Sequence, residues 1–127
     1  MSREVVLVAA ARSAFGRRGG MFRTVDALDL GANVVRGLLD RTRLLDRTVV
    51  DDVFVGSAYA DAISNSHARY VTLASGLPES VSSTSLEMQC GSAITALNYA
   101  AYKIAMGGAD TIIVGGVESH SRKIVKF

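Results

Sequence analysis

Ser82-Ser83-Thr84-Ser85-Leu86-Glu87-Met88-Gln89-Cys90-Gly91-Ser92-Ala93-Ile94-Thr95-Ala96 carries the chain from an extended run into a helix, with its only cysteine at the junction. Ser82 to Met88 is polar but tolerant of β structure, and it predicts a strand. The helix that follows is predicted from Gly91 to about Met106 and is apolar almost all round: Ala93, Ile94, Ala96, Leu97, Ala100, Ala101, Ile104 and Ala105. A helix with that pattern is normally buried. Cys90 therefore stands where unpaired backbone N–H groups and the positive end of the helix dipole favour a thiolate, the form that attacks electrophiles. A lone cysteine can also be a small buried hydrophobe. Here Gly91 and Ser92 are small enough to admit a ligand, and the strand–Cys–helix junction has the form of a nucleophile turn.

Working outward, strand and helix patterns alternate. Glu4 to Ala11 is a continuous, valine-rich apolar run and predicts a strand covered on both faces. A flexible loop follows over Phe15-Gly16-Arg17-Arg18-Gly19-Gly20. Thr24 or Asp26 can cap a helix running to about Arg41, with Leu28, Ala32, Val35 and Leu39 on one face. Val49 to Val55 predicts a second strand closed by Gly56, and His67 to Ala74 a short helix ended by Gly76 and Pro78. Gly107-Gly108 ends the long helix, and Asp110 to Val114 predicts a fourth buried strand. The order β-α-β-α-β-α-β specifies an α/β fold with at least partly parallel strands.

The composition narrows the function. The chain has 127 residues, 49% of them apolar and 20% charged, enough for one domain with a real core. Fourteen basic residues against twelve acidic ones leave a net charge of +2. The basic residues are scattered and not interleaved with aromatics, which argues against a nucleic-acid surface. One cysteine excludes an internal disulfide framework. The apolar start is too short for a signal peptide and no segment has the length of a membrane span, so a cytoplasmic protein is expected. His67, His120 and Cys90 lie far apart in sequence and show no metal-ligand spacing, so no metal site is expected.

These residues resemble the N-terminal part of the thiolase family, the acyl-CoA acetyltransferases. Val8-Ala9-Ala10-Ala11-Arg12-Ser13-Ala14-Phe15-Gly16 resembles the opening strand and loop, and Asp29-Leu30-Gly31-Ala32 the first helix. Cys90-Gly91-Ser92 resembles the nucleophile turn. Gly107 to Asp110 with Ile112-Ile113-Val114-Gly115-Gly116-Val117-Glu118-Ser119 resembles the helix exit and the next strand. The resemblance implies that Cys90 is acylated by an acyl-CoA. A second acetyl-CoA, deprotonated at its methyl group, then attacks that thioester in a Claisen condensation, and the reverse is thiolytic cleavage. It also implies coenzyme A thioesters as substrates with no resident cofactor, a role such as fatty acid metabolism, and a homodimer or homotetramer. The Cys90 N–H resembles half of an oxyanion hole.

The family's Gly-His-Pro histidine, second cysteine and Asn-Glu motif are not in these residues, nor is most of the coenzyme A loop region. The resemblance thus implies a truncated N-terminal domain over residues 1–127, an α/β fold with a mixed, mostly parallel sheet and helices on both faces, four of the family half's five strands and an incomplete active site. Glu87 stands where asparagine is common, Ala93 replaces a glycine, and His120 takes a position often held by methionine. His67 and His120 read as locally hydrogen-bonded or solvent-facing histidines rather than bases. Arg17-Arg18 with Gly19-Gly20 reads as a solvated loop rather than a phosphate loop. The alternatives are a short subunit that needs a partner chain, a non-catalytic thiolase-like interaction module and, among enzymes, a β-ketoacyl synthase.

Overall fold

The computed structural model describes residues 3–59 and 66–122. The sheet is built around Asp52–Gly56 (β1), which is buried at every position. It pairs in parallel with Ser82–Leu86 (β2) along one edge and with Ile112–Gly116 (β3) along the other, giving the order β2-β1-β3. Parallel neighbours need crossover connections, and the helices supply them. Ala27–Thr42 (α1) precedes the sheet, His67–Ala74 (α2) lies between β1 and β2, and Ser92–Ala105 (α3) lies between β2 and β3.

Alternate side chains of β1 point to opposite faces and define two cores. Val53 and Val55, with Ile113 of β3, pack against Leu28 and Leu39 of α1 and Ala68 and Val71 of α2. Phe54 faces the other way and packs with Ala96 and Ala100 of α3, flanked by Leu86, Ile112 and Val114. Helices therefore cover both faces, as the alternation of patterns requires.

The first helix forms for the reasons its sequence supplies. Asp26 caps it by accepting the Leu28 N–H at 2.8 Å, and Arg43 in the left-handed region (φ 50°) ends it. Leu28, Ala32 and Leu39 are buried, and Val35 packs partly against the same core. Tyr70 Oη donates to Asp29 at 2.6 Å, and an Arg36 guanidinium donates to the Ala74 carbonyl, so α1 and α2 are clasped on the outside.

Three expectations are corrected. Glu4–Ala11 forms no strand: Val6, Leu7 and Val8 are 66%, 78% and 79% exposed. An apolar run becomes a strand only when a ladder partner takes its N–H and C=O groups, and the only ladders among the described residues are those of β1, β2 and β3. The sheet accordingly has three strands, not four, all parallel. The second correction is α3, which is not buried all round. Only Ser92, Ala96 and Ala100 are buried, while Ile94, Leu97, Tyr99 and Tyr102 are exposed, because a single sheet face covers a single helix face. The third is β3, an edge strand with only Ile113 buried.

The end of the sheet where the strands begin is held by charge. Asp51 accepts the N–H groups of Asp110 at 2.7 Å and Thr111 at 3.0 Å, tying the entry of β3 to that of β1. The bonds from Thr111 and then Asp110 hold its carboxyl below the ordinary 3.8. Next to it, the buried Asp52 carboxylate receives the Val53 N–H at 2.9 Å and pairs with Lys103 Nζ of α3 at 2.7 Å.

Two outcomes follow for stability. Lys103→Met strands the Asp52 carboxylate and is expected to cost about 2–3 kcal/mol in urea unfolding, less than the ~3–5 kcal/mol of a wholly buried pair because Lys103 is partly solvated. Asp51 has a depressed folded value, so its contribution is complete above 3.8 and is lost as pH falls below it. Asp51→Asn is therefore expected to flatten the acid limb of the urea midpoint plotted against pH.

Candidate active site

The strands of a parallel sheet end together, and ligand sites of open α/β folds gather at that edge. Here β1 ends at Gly56, β2 at Leu86 and β3 at Gly116, and the chain leaves each into a turn. The turn after β2 holds Cys90, a free and exposed thiol. Gln89 before it is forced to φ 49°, a left-handed conformation that costs a non-glycine residue about 1–2 kcal/mol. Such strain persists only where the surroundings over-determine it.

Ser92 over-determines it. Its buried Oγ accepts the Met88 N–H at 2.8 Å, and its single proton lies within reach of the carbonyls of Gln89 (2.7 Å) and Ser57 (3.1 Å). Gly91 and Ser92 donate their N–H groups back to the carbonyls of Met88 and Gln89. The turn is thus closed on itself and anchored to the end of β1. Thr95 Oγ1 also donates to Met88 Sδ at 3.3 Å, holding the methionine over the turn.

The segment after β3 closes the same edge. Glu118 accepts the Ala58 N–H at 2.8 Å and lies 3.3 Å from Ser57 Oγ. Ser57 therefore links the exits of all three strands: its carbonyl faces Ser92, its hydroxyl faces Glu118, and its N–H donates to the Leu86 carbonyl at 3.0 Å. Farther along, Ser121 Oγ accepts the Gly19 N–H at 2.9 Å, and Arg122 pairs with Asp26 at 3.8 Å, docking this segment on the turn before α1.

The histidines stand apart from this arrangement. His67 is buried at the start of α2, its Nε2–H donating to the Val55 carbonyl at 2.8 Å, a bond that secures α2 to β1. His120 is exposed and meets the Tyr59 ring edge-on, centroids 6.1 Å apart. Glu87 is exposed beyond the end of β2 and makes no ion pair among the described residues. Among those residues, no three His, Cys, Asp or Glu side chains gather as a metal site, and no helix is long and apolar enough to cross a membrane. Nothing in the sequence marks Ser57 as a hub; its only signal is a small hydroxyl residue directly after a strand-ending glycine.

If Ser92 holds the turn and Cys90 is free of structural duty, two substitutions should separate. Ser92→Ala leaves the Met88 N–H without its acceptor and is expected to cost about 1–2 kcal/mol in urea unfolding. Cys90→Ser, at an exposed site, should stay within about 0.5 kcal/mol of the parent.

Comparison with known proteins bears on the family and the fold. The family profile described as "Thiolase, N-terminal domain" matches residues 5–126. The chain is 44% identical over 121 residues to the 3-oxoadipyl-CoA/3-oxo-5,6-dehydrosuberyl-CoA thiolase of Escherichia coli (strain K12), covering 94% of this chain and 30% of that protein. It is 42% identical over 122 residues to a steroid 3-ketoacyl-CoA thiolase of Mycobacterium tuberculosis, covering 94% of this chain and 29% of that protein. Its fold matches the crystal structure of the Bacillus anthracis acetyl-CoA acetyltransferase with a TM-score of 0.85 at 28% identity, over 93% of this chain and 30% of that one. The chain thus spans about three tenths of the length of these relatives.

Proposed function

The chain belongs to the thiolase family, and from that premise we propose that Cys90 is the nucleophile of an acyl transfer between coenzyme A thioesters. The Cys90 thiolate attacks the carbonyl carbon of an acyl-CoA, the carbon–sulfur bond to coenzyme A breaks, and an acyl thioester remains on Cys90. The carbanion of a second acetyl-CoA then attacks that thioester. A carbon–carbon bond forms, Cys90 leaves as the thiolate, and a 3-ketoacyl-CoA departs. Thiolytic cleavage is the same path in reverse. The Cys90 backbone N–H supplies one donor of an oxyanion hole.

The observation that carries this reading is the exposed thiol on a strained turn, clamped by Ser92 where the parallel strands end. Among the described residues the bonds that hold the turn are made by backbone groups, hydroxyls and the Met88 sulfur, and none is made by the Cys90 sulfur. The groups that would activate it, deprotonate the second acetyl-CoA and grip coenzyme A are a Gly-His-Pro histidine, a second cysteine and a binding loop. The histidine and the second cysteine are not among these 127 residues, nor is most of the loop. We therefore read the chain as the N-terminal domain of a longer thiolase, acting in the cytoplasm as a homodimer or homotetramer on acyl-CoA substrates.

The test is the intact mass of the native gene product after incubation with acetyl-CoA. A product heavier than 13.4 kDa that gains one acetyl group, with the gain lost in Cys90→Ser, is the expected result. A product of 13.4 kDa whose Cys90 never carries an acyl group, alone or with co-purifying chains, would sink the reading and leave a non-catalytic thiolase-like module.

A further inference from the structure

The first turn of α3 sits directly on the ends of two neighbouring strands. In the parallel register Gly56 of β1 lies beside Gly116 of β3, so two residues without side chains stand next to one another at the sheet edge. A Cβ on Gly56 would come within 2.6 Å of the Ala93 backbone nitrogen and the Ser92 carbonyl carbon, and 2.8 Å from Ser92 Cβ. A Cβ on Gly116 would come within 2.9 Å of Ala93 Cβ. Carbon atoms in contact sit about 3.5–4.0 Å apart, so a methyl group at either position forces the helix and the strand end apart. Gly115 differs, since a Cβ there meets nothing within 4 Å.

We propose that Gly56 and Gly116 form a notch that seats the first turn of α3 and thereby sets where Cys90 stands. They are positioning residues, acting through Ser92 and Ala93 on the nucleophile turn. The proposal rests on reading Cys90 as the nucleophile only for its catalytic consequence, because the placement of the thiol can be measured without acyl-CoA. The Ser92 bonds to Met88 and Gln89 are local, but its bond to the Ser57 carbonyl forms only if the Ser92 backbone lies this close to β1, so the notch sets the anchorage of the turn to the sheet. The contact at Gly116 is methyl against methyl, which makes it reversible: the carbon added at 116 can be removed at 93.

The experiment is a size-swap cycle on the full chain, read by the rate of Cys90 alkylation with iodoacetamide across a pH series. The series separates a change in thiolate fraction from a change in access. Gly116→Ala is expected to slow alkylation at neutral pH by about 2- to 5-fold as the turn that presents the sulfur is displaced, a change of about 0.4–1 kcal/mol in the barrier. Adding Ala93→Gly should return the rate to that of Ala93→Gly alone, and Gly115→Ala should leave it unchanged. A folded Gly116→Ala protein with the parent rate, or a loss that Ala93→Gly does not restore, would overturn the notch. If Gly116→Ala does not fold, Ala93→Val presses on the same contact from the helix side. An equal slowing supports the proposal and an unchanged rate overturns it. The acetylation test bears on the catalytic reading alone: a Cys90 that is never acylated removes that reading and leaves the notch standing.

Discussion

A strand hydrogen-bonded along both edges and covered on both faces cannot slip by one residue without inverting every side chain it carries. Asp52–Gly56 is such a strand. Slippage would turn Phe54 into the α1–α2 core and Val53 and Val55 into the α3 core. The register of β1 therefore sets the height at which β2 and β3 end, and with it the level of the turns that follow. His67 reads that level directly through its bond to the Val55 carbonyl, and Ser92 reads it through Ser57.

The candidate site is a consequence of this register. Because Gly56, Leu86 and Gly116 end in line, three exits converge, and a single residue, Ser57, reaches the other two. The turn that carries Cys90 stores strain at Gln89 and is held by bonds made by its neighbours rather than by the sulfur. That division of labour is what a nucleophile requires: a rigid platform and an uncommitted reacting atom.

The two ends of the sheet are stabilised by different physics. Where the strands begin, the carboxylates of Asp51 and Asp52 collect backbone N–H groups and the Lys103 ammonium, and Asp51, held below its ordinary value, makes that end depend on pH. Where they end, hydroxyls, carbonyls and close backbone packing predominate, with Glu118 the one carboxylate taking part among the described residues. The apolar outer face of α3 and the run Val5–Val8 are exposed among the described residues.

Local chemistry was enough to specify much of this. Asp26 with the spacing of Leu28, Ala32 and Leu39 determined α1, the β-branched run ending in Gly56 located β1, and a cysteine before Gly91-Ser92 marked the turn. Caps, periodicity and glycine positions act within a few residues, so they are readable in one dimension. Whether Glu4–Ala11 finds a ladder partner, which side of α3 is covered, and that Ser57, Gly56 and Gly116 meet the first turn of α3 depended on packing between residues far apart in sequence, such as Ser57 and Ser92, 35 positions apart. An apolar residue carries the same hydrophobicity whether or not something covers it, and a glycine the same freedom whether or not a helix rests on it. Only the tertiary structure supplies the neighbour.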